Sequence, residues 1–405
     1  MQKPGASSSD YYNIILFACC MLSGIFSGLT STLVPSYLPV IAGSFDDANG
    51  DGISALINAV FIYGMLAGGL LLGFLGDKKG RRSGFILSTL LTGIFTLLVY
   101  FTNGWPWLVC CRFLTGMGVG GVLLTGTILI AEAWSEQKKG IALGILSISF
   151  PIGIFSAGLI TSFVNDWRQA FLAGILPLAL AAFSIVYIKE TGSWLAEKKQ
   201  KEISGNALKT NAVIKNIITG SLLYGTMLIG LWAVFAWLPT WVQGLVKNSD
   251  GQSERGISMM LFAFGGLAGG FFSGWLTRQF GMKNMMLLCF SGAFILSIVL
   301  FRLTTVLTVY TYINMGIIAL FFGISQGVLN IFIPALFPTG VRSTATGICF
   351  NISRIFTATA VFFIGWLVDS LNGFGNALFI FSFVFLAGLL VTLFMHKNTG
   401  YVMEK

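Results

Sequence analysis

The sequence predicts an all-α membrane protein with twelve transmembrane helices, arranged as two pseudo-symmetric six-helix bundles. Three observations support this fold class: the composition, the spacing of the charged residues and an internal repeat. Of the 405 residues, 55% are hydrophobic and only 10% are charged, and the mean hydropathy is +0.84. Soluble domains carry roughly 25% charged residues. The composition therefore excludes a disordered chain, a secreted disulfide scaffold and an ordinary cytosolic enzyme.

Charge-free runs define the individual helices. A helix needs about 20 apolar residues to cross a bilayer, and the intervals between charged residues supply twelve stretches of that kind. The six cysteines fall inside these stretches without metal-ligand spacing, so we predict neither a disulfide nor a metal or other cofactor. The predicted helices lie near residues 13–42, 52–76, 84–102, 106–131, 141–164, 168–189, 214–243, 256–278, 284–303, 308–335, 344–367 and 375–396.

The distribution of basic residues predicts the orientation. Most of the 24 Lys and Arg residues fall in segments that are cytoplasmic if both termini are cytoplasmic. This bias is the positive-inside pattern of membrane proteins. The net charge of +9 is therefore a topology signal and does not indicate nucleic-acid binding. The basic residues that the prediction places outside are Arg168, Lys247, Arg255 and Arg302.

One half of the chain repeats the other. Residues 64–80 read GMLAGGLLLGFLGDKKG and residues 265–281 read GGLAGGFFSGWLTRQFG, with eight matches at one constant register. A second match aligns Lys139 with Arg342 at nearly the same offset. Two six-helix halves related by an axis along the membrane normal follow from these matches.

The longest polar stretch separates the halves. We predict an N-terminal bundle over 1–188, a cytoplasmic linker over 189–212 and a C-terminal bundle over 213–405. Lys and Glu alternate in the linker, which is typical of a solvated segment with some helix. A regulatory or partner-binding loop is the alternative interpretation.

The turn after the second predicted helix carries the most specific motif, GFLGDKKGRR at 73–82. Glycine suits a tight turn, and Asp77 can accept charge-assisted hydrogen bonds across the interface between the halves. Asp77 could thus latch one access state, or it could be a solvated turn residue. The second-half copy has Arg278 in place of the acid. The segment resembles the signature loop of the major facilitator superfamily, whose defining positions are occupied by Gly73, Asp77, Gly80, Arg81 and Arg82.

Further segments resemble the same superfamily. Arg112, in RFLTGMGVGG, resembles the arginine motif typical of proton-linked members, and DWRQAF at 166–171 resembles the usual entry to the sixth helix. The chain also resembles branches that carry organic acids, sugars or organic ions, in the segments ETGSWL at 190–195 and LFPTGVRSTATG at 336–347. The resemblance is closest to the metabolite:proton symporters in AWLPTW at 236–241 and GICFNISR at 347–354.

The resemblance also implies a cytoplasmic charge network. Glu132 lies at the predicted cytoplasmic end of the fourth helix, seven residues before Lys139. In related transporters an acid in this region joins such a network, and a proton-carrying role is the alternative. We therefore group Glu132, Lys139 and Arg342 with the motif residues as gating residues.

Two arginines inside predicted helices are candidates for binding substrate. An arginine near a helix centre costs about 2.5–3.5 kcal/mol on insertion scales, and its planar fork of donors can bind a carboxylate or phosphate through two hydrogen bonds. Arg354 has Asn351 one turn before it on the same face. For Arg354 we favour an anion site over structural pairing, whereas for Arg112 structural pairing is favoured.

Other polar and aromatic residues complete the predicted binding site. Gln326 and Asn330 are four residues apart in the tenth helix, and unsatisfied amides are costly inside a bilayer. Tyr37 in the first helix and Trp232 in the seventh are further candidates. Aromatic residues of this kind also serve as packing or interface anchors.

The sequence thus favours a secondary active transporter that moves a small organic anion, a carboxylate, by rocking of the two halves around a central site. No Asp or Glu lies in a predicted helix centre, which favours an anionic substrate and weakens the case for a proton relay. The resemblance nevertheless implies coupling to H⁺. The chain is expected to be a monomer in a plasma membrane, the inner membrane of a bacterium, without nucleic acid. The alternative is a drug or metabolite exporter of the same fold, whereas nothing in the sequence indicates an enzyme or a channel.

Overall fold

The computed structural model describes residues 8–45, 50–190, 211–246, 250–338, 342–371 and 373–395. Throughout these ranges the regular secondary structure is helical. Among the described residues, twelve helices are long and apolar enough to cross a membrane, judged by length and composition. The predicted fold class is therefore confirmed, and each predicted helix corresponds to one of the twelve.

Eight of the helices are continuous and four contain a local change of geometry. The first group consists of α1 (Ser8–Ser44), α2 (Gly50–Lys79), α3 (Arg81–Val99), α4 (Trp105–Ala133), α7 (Asn211–Leu245), α8 (Gln252–Phe280), α10 (Val309–Ala335) and α11 (Arg342–Ser370). The second group consists of α5 (Glu136–Ser147 and Ser149–Phe163), α6 (Trp167–Ala170, Phe171–Gly174 and Ile175–Tyr187), α9 (Met282–Ile298 and Val299–Leu303) and α12 (Phe374–Phe381 and Phe383–Phe394).

Glycine ends the second helix of each repeat. Gly80, between α2 and α3, has a φ of 113°, and Gly281, between α8 and α9, has a φ of 77°. Residues with a Cβ atom rarely adopt positive φ. The two glycines occupy equivalent positions in the repeat, so the same backbone requirement ends α2 and α8.

The packing of α2 on α4 recurs in the packing of α8 on α10. A Cβ atom added to Gly64 would lie 2.1 Å from the carbonyl oxygen of Phe113, and one added to Gly265 would lie 2.1 Å from that of Gly316. One turn further along, the corresponding pairs are Gly68 with the Met117 carbonyl and Gly269 with the Leu320 carbonyl. Small residues let helices approach closely in membrane proteins. The repeat therefore extends from sequence to helix packing.

By contacts, the chain divides into two compact units. The first comprises Met1–Val34, Val60–Ala157 and Asp166–Glu202, and the second comprises Pro35–Ala59, Gly158–Asn165 and Ile203–Lys405. The second unit thus contains the end of α1, the beginning of α2 and the end of α5 together with the second repeat. Most of the predicted linker, residues 191–210, lies outside the described residues.

Candidate functional site

Arg81 joins two acidic residues at one end of the first unit. Its Nη1 atom pairs with the Asp77 carboxylate, and its Nε atom lies 3.1 Å from Oε1 of Glu132. The Arg81 side chain is 13% exposed and that of Asp77 is 57% exposed. Hydrogen bonds between ionised partners are stronger than neutral ones. One guanidinium therefore connects the end of α2, the start of α3 and the end of α4.

Arg82 and Glu190 fix the start of α3. The backbone N–H of Arg82 donates to Oε1 of Glu190 over 3.3 Å, and Nη2 of Arg82 donates to the carbonyl of Ile185 over 2.5 Å. A carboxylate is favourable at the positive end of a helix dipole. A Cβ atom on Gly80 would come within 2.0 Å of the Glu190 carboxylate. Gly80 is therefore required by its φ angle and by the room that this carboxylate needs.

The second repeat keeps the helix-end contact but not the acidic network. Lys283 occupies the position of Arg82, and its Nζ atom donates to the carbonyls of Leu393 and Met395 at the end of α12, over 3.0 and 3.1 Å. Such carbonyls have no partner within their own helix. Arg278 is exposed, donates to the Gly274 carbonyl over 3.3 Å and forms no ion pair with any described acid.

The remaining predicted gating residues differ in what the structure shows. Gly73 faces α4, since a Cβ atom there would lie 2.6 Å from Cδ2 of Leu124. Lys139 is half-buried in the first part of α5, and its backbone N–H donates to the Ser135 carbonyl. Arg342 begins α11, and its side chain lies outside the described part of the chain.

Arg112 is buried inside the first unit, with 2% of the residue exposed. Its Nη1 atom donates to the Thr30 carbonyl over 3.3 Å, and its guanidinium carbon lies 4.0 Å from the ring centroid of Phe61. The Nε atom has no hydrogen-bond partner among the described residues. A cation over an aromatic face is attracted by the ring quadrupole. Arg112 thus contacts one carbonyl and one ring, and it pairs with no carboxylate among the described residues.

Arg354 has a different environment in the second unit. It is half-buried in the middle of α11, and no described residue forms a hydrogen bond or ion pair with its guanidinium. Phe350, one turn before Arg354 on α11, makes the contact with α7. The Tyr224 ring packs against Phe350, with 4.4 Å between centroids. The half-buried Asn351 likewise has no described hydrogen bond, so this part of α11 presents an unpaired cation and an unpaired amide.

The other predicted binding residues differ in burial and in local partners. Nε2 of Gln326 is buried and has no hydrogen-bond partner in the described part of the chain, whereas Asn330 is exposed. Tyr37 is fully buried, and its hydroxyl donates to the Val164 carbonyl over 2.7 Å. The half-buried Trp232 packs against Phe235, with 5.1 Å between ring centroids. No described hydrogen bond links Gln326 or Asn330 to Arg354.

Arg255 differs from its predicted position. The prediction put it in an outer loop and started the eighth helix at residue 256, whereas α8 begins at Gln252 and Arg255 is 1% exposed. Asp250 and Gly251 precede the helix, and Gly251 has a φ of 67°. Such residues are common where one element ends and the next begins, and this signal would have moved the predicted start of α8.

The described residues form twelve helices long and apolar enough to span a membrane, in two six-helix repeats with charged residues where α2 meets α3, and these features define a multi-pass membrane protein. The chain belongs to the Major Facilitator Superfamily, whose sequence profile matches residues 20–356. The resemblance inferred from the motif at 73–82 is therefore confirmed, and the protein is a transporter of small organic solutes.

Two relatives and one solved structure illustrate the similarity. The 3-(3-hydroxy-phenyl)propionate transporter of Escherichia coli (strain K12) is 26% identical over 359 residues, which is 87% of this chain and 86% of the relative. The cis,cis-muconate transport protein of Acinetobacter baylyi is 24% identical over 369 residues, covering 88% and 87%. The crystal structure of a D-xylose-proton symporter matches with a TM-score of 0.78 at 18% identity, covering 95% of this chain and 98% of the other. At that identity the structural likeness shows the fold alone.

Proposed function

We propose that this transporter moves a small organic anion that carries a carboxylate, by alternating access and with coupling to protons. The observation that carries the proposal is the Arg354 guanidinium, half-buried in a membrane-spanning helix without a described hydrogen bond or ion pair. A charge inside the membrane is expensive unless it is paired. A bound carboxylate supplies the missing partner.

The neighbours of Arg354 suit such a ligand. A guanidinium binds a carboxylate through two parallel hydrogen bonds. The Asn351 amide, one turn earlier on α11, can donate a further hydrogen bond, and the ring contact with Phe350 brings the Tyr224 phenol to the same stretch of α11. The Tyr224 and Phe350 rings supply an apolar wall for the body of the ligand. Most ligand sites combine apolar walls with a few placed polar groups. Gln326, Asn330, Trp232, Tyr37 and Arg112 remain further candidate binding residues.

The names of the relatives support the same substrate class. One is named for a propionate and another for cis,cis-muconate, and both names denote carboxylates. The structurally similar symporter is named for the proton as well as for xylose, which supports protons as the coupling ion. We further propose a bacterial inner membrane as the location, with both termini in the cytoplasm, and a monomer as the working unit. The Asp77–Arg81–Glu132 cluster is proposed to gate access together with Gly73, Gly80, Arg82, Lys139 and Arg342.

Uptake into proteoliposomes tests the proposal. Purified protein is reconstituted, and labelled 3-(3-hydroxyphenyl)propionate and cis,cis-muconate are offered with and without an imposed pH gradient, with D-xylose as a neutral probe. We expect at least one carboxylate to accumulate in a gradient-dependent manner, and we expect this accumulation to be lost in Arg354→Ala. Arg302→Ala is the matched control, because Arg302 is exposed and bonds to Asn376 on α12.

Two results would count against the proposal. Carboxylate accumulation by Arg354→Ala at the wild-type rate would exclude Arg354 as the anion site. Transport of hydrophobic cations or neutral dyes in place of every carboxylate would favour an exporter of the same superfamily.

A further inference from the structure

Arg255 connects the end of α1 to the end of α7 and to Asp250, which precedes α8, inside the second unit. Its Nε atom donates to the carbonyl of Ser36 over 2.9 Å. Its Nη1 atom donates to the carbonyl of Asp250 over 2.9 Å and to the side-chain oxygen of Gln243. These acceptors are uncharged oxygens. A fully buried arginine is therefore held by carbonyl dipoles from α1, α7 and Asp250.

Gln252, one turn earlier on α8, makes a parallel connection to α5. Its Nε2 atom lies 2.9 Å from the carbonyls of both Thr161 and Val164 and 3.2 Å from Oδ1 of Asn165. The last carbonyls of a helix have no partner within that helix. The Gln252 amide supplies hydrogen bonds at the end of α5, so the first turn of α8 donates side-chain hydrogen bonds to two helices of the first repeat.

The backbones of α5 and α8 also touch directly. A Cβ atom on Gly158 would lie 2.7 Å from the carbonyl oxygen of Gly256, and a Cβ atom on Gly256 would lie 2.6 Å from that of Gly158. Glycine pairs allow helices to approach to backbone contact. No solute passes between α5 and α8 while this contact holds.

We propose that Arg255 and Gln252 form a lock that keeps this end of the helices closed. The proposal rests on the proposed alternating access, which requires α1 and α5 of the first repeat to separate from α8 of the second. The hydrogen bonds to Ser36, Thr161 and Val164 must then break. The Tyr37–Val164 hydrogen bond differs, because it joins α1 to α5 within the first repeat and survives the separation.

The chemistry of the acceptors suits a contact that opens reversibly. Breaking a buried ion pair leaves an uncompensated charge and is strongly unfavourable. A carbonyl released from Arg255 or Gln252 can instead accept a hydrogen bond from water. Likewise, the guanidinium and the amide can donate hydrogen bonds to water. Exchanging each of these hydrogen bonds for one to water changes the free energy only slightly, so the open state stays accessible while the closed state predominates.

Distance measurement between two spin labels tests the lock without any substrate. Labels are attached to cysteines introduced at the exposed positions Ser44 on α1 and Ser253 on α8, in a background in which the exposed Cys110 is replaced by Ser. We expect one predominant distance in the otherwise unaltered protein. In Gln252→Ala and in Arg255→Lys, we expect a longer distance between the labels. Its population relative to that of the short distance should rise about tenfold, which is the scale of one or two lost hydrogen bonds.

A control variant makes the result specific. Arg302→Ala removes an exposed hydrogen bond within the second repeat, away from Arg255 and Gln252, so it should keep the short distance. A melting curve identifies any variant that unfolds. If Arg255→Lys unfolds, Gln252→Ala still provides a valid test. An unchanged distance distribution in folded Gln252→Ala would overturn the lock. The label distance is independent of whether a carboxylate is transported, so it separates failure of the lock from failure of the proposed function.

Discussion

The two buried or half-buried arginines of the predicted binding site differ in how their charge is compensated. Arg112 has the Thr30 carbonyl and the Phe61 ring as partners, whereas no described group bonds to the Arg354 guanidinium. Burying a charge is unfavourable unless it is paired or hydrogen-bonded. Of the two, Arg354 therefore gains more from an anionic ligand, and Arg112 is already part of the packing of the first unit.

Replacing Arg354 by Lys tests the geometry of the anion site and not merely its charge. Lysine keeps one positive charge but lacks the planar fork of donors. We expect carboxylate affinity in purified protein to fall by about 1–3 kcal/mol, the scale of a charge-assisted hydrogen bond. Isothermal titration with cis,cis-muconate measures the change, with Arg302→Lys as the control. An unchanged affinity with an unchanged melting temperature would show that Arg354 does not contact the carboxylate.

A single glycine decides the turn between α2 and α3. Gly80 combines a φ of 113° with the Glu190 carboxylate lying where a Cβ atom would be. We expect Gly80→Ala to lower stability by about 1–3 kcal/mol, the cost of a residue held in a sparsely populated backbone region. Thermal unfolding in detergent measures it. Gly274→Ala is the matched control, because a Cβ atom there meets no atom within 4 Å, and a loss of the same size in both variants would contradict the explanation.

At the scale of helices, glycine spacing sets which pairs pack closely. The Gly64–Phe113 contact of α2 with α4 is repeated by the Gly265–Gly316 contact of α8 with α10. The sequence repeat predicts this recurrence, because equivalent glycines should face equivalent partners. The lock on α8 was not predictable in the same way. Its acceptors on α1 and α5 include the backbone carbonyls of Ser36 and Thr161, which any residue type would supply.

Alanine at Gly265 should separate α8 from α10. The added Cβ atom would lie 2.1 Å from the Gly316 carbonyl oxygen, and backbone atoms cannot move aside as the end of a side chain can. Overpacking of a tight contact typically costs about 1–3 kcal/mol. The melting temperature of Gly265→Ala should fall relative to that of Gly270→Ala, whose Cβ atom meets no atom within 4 Å. Equal melting temperatures would show that the two helices have room to part.

At the scale of the whole molecule, the sequence predicted the fold more fully than the site. The twelve helices and the repeat follow from composition and from the spacing of charges such as Asp77, Arg81 and Arg82. Both are properties of the amino-acid sequence itself. The partners of individual side chains depend on which helices pack together. Thus the Arg81–Glu132 pair and the burial of Arg255 emerge only in three dimensions.

The Asp77–Arg81–Glu132 cluster and the lock at Arg255 occupy opposite ends of equivalent helices in the two repeats. The cluster lies where α2 ends, at Lys79, and the lock lies in the first turn of α8. A transporter that alternates between two access states needs contacts that favour each of them. In our proposal the acidic cluster stabilises one of these states. Losing the negative charge of Asp77 should then change the balance between the states without unfolding the protein.

Asp77→Asn tests this role directly. The amide keeps the size of the side chain but removes the charge that pairs with Arg81, and Glu132 remains as the second partner of that guanidinium. Because Asp77 is 57% exposed, we expect little change in the melting temperature. We expect slower substrate accumulation in proteoliposomes and a changed ratio of the two distances between labels at Ser44 and Ser253. Lys78→Gln, an exposed neighbour in the same turn, should retain wild-type turnover and distances. If Asp77→Asn retains both as well, Asp77 is a solvated turn residue and the access states are balanced by other contacts.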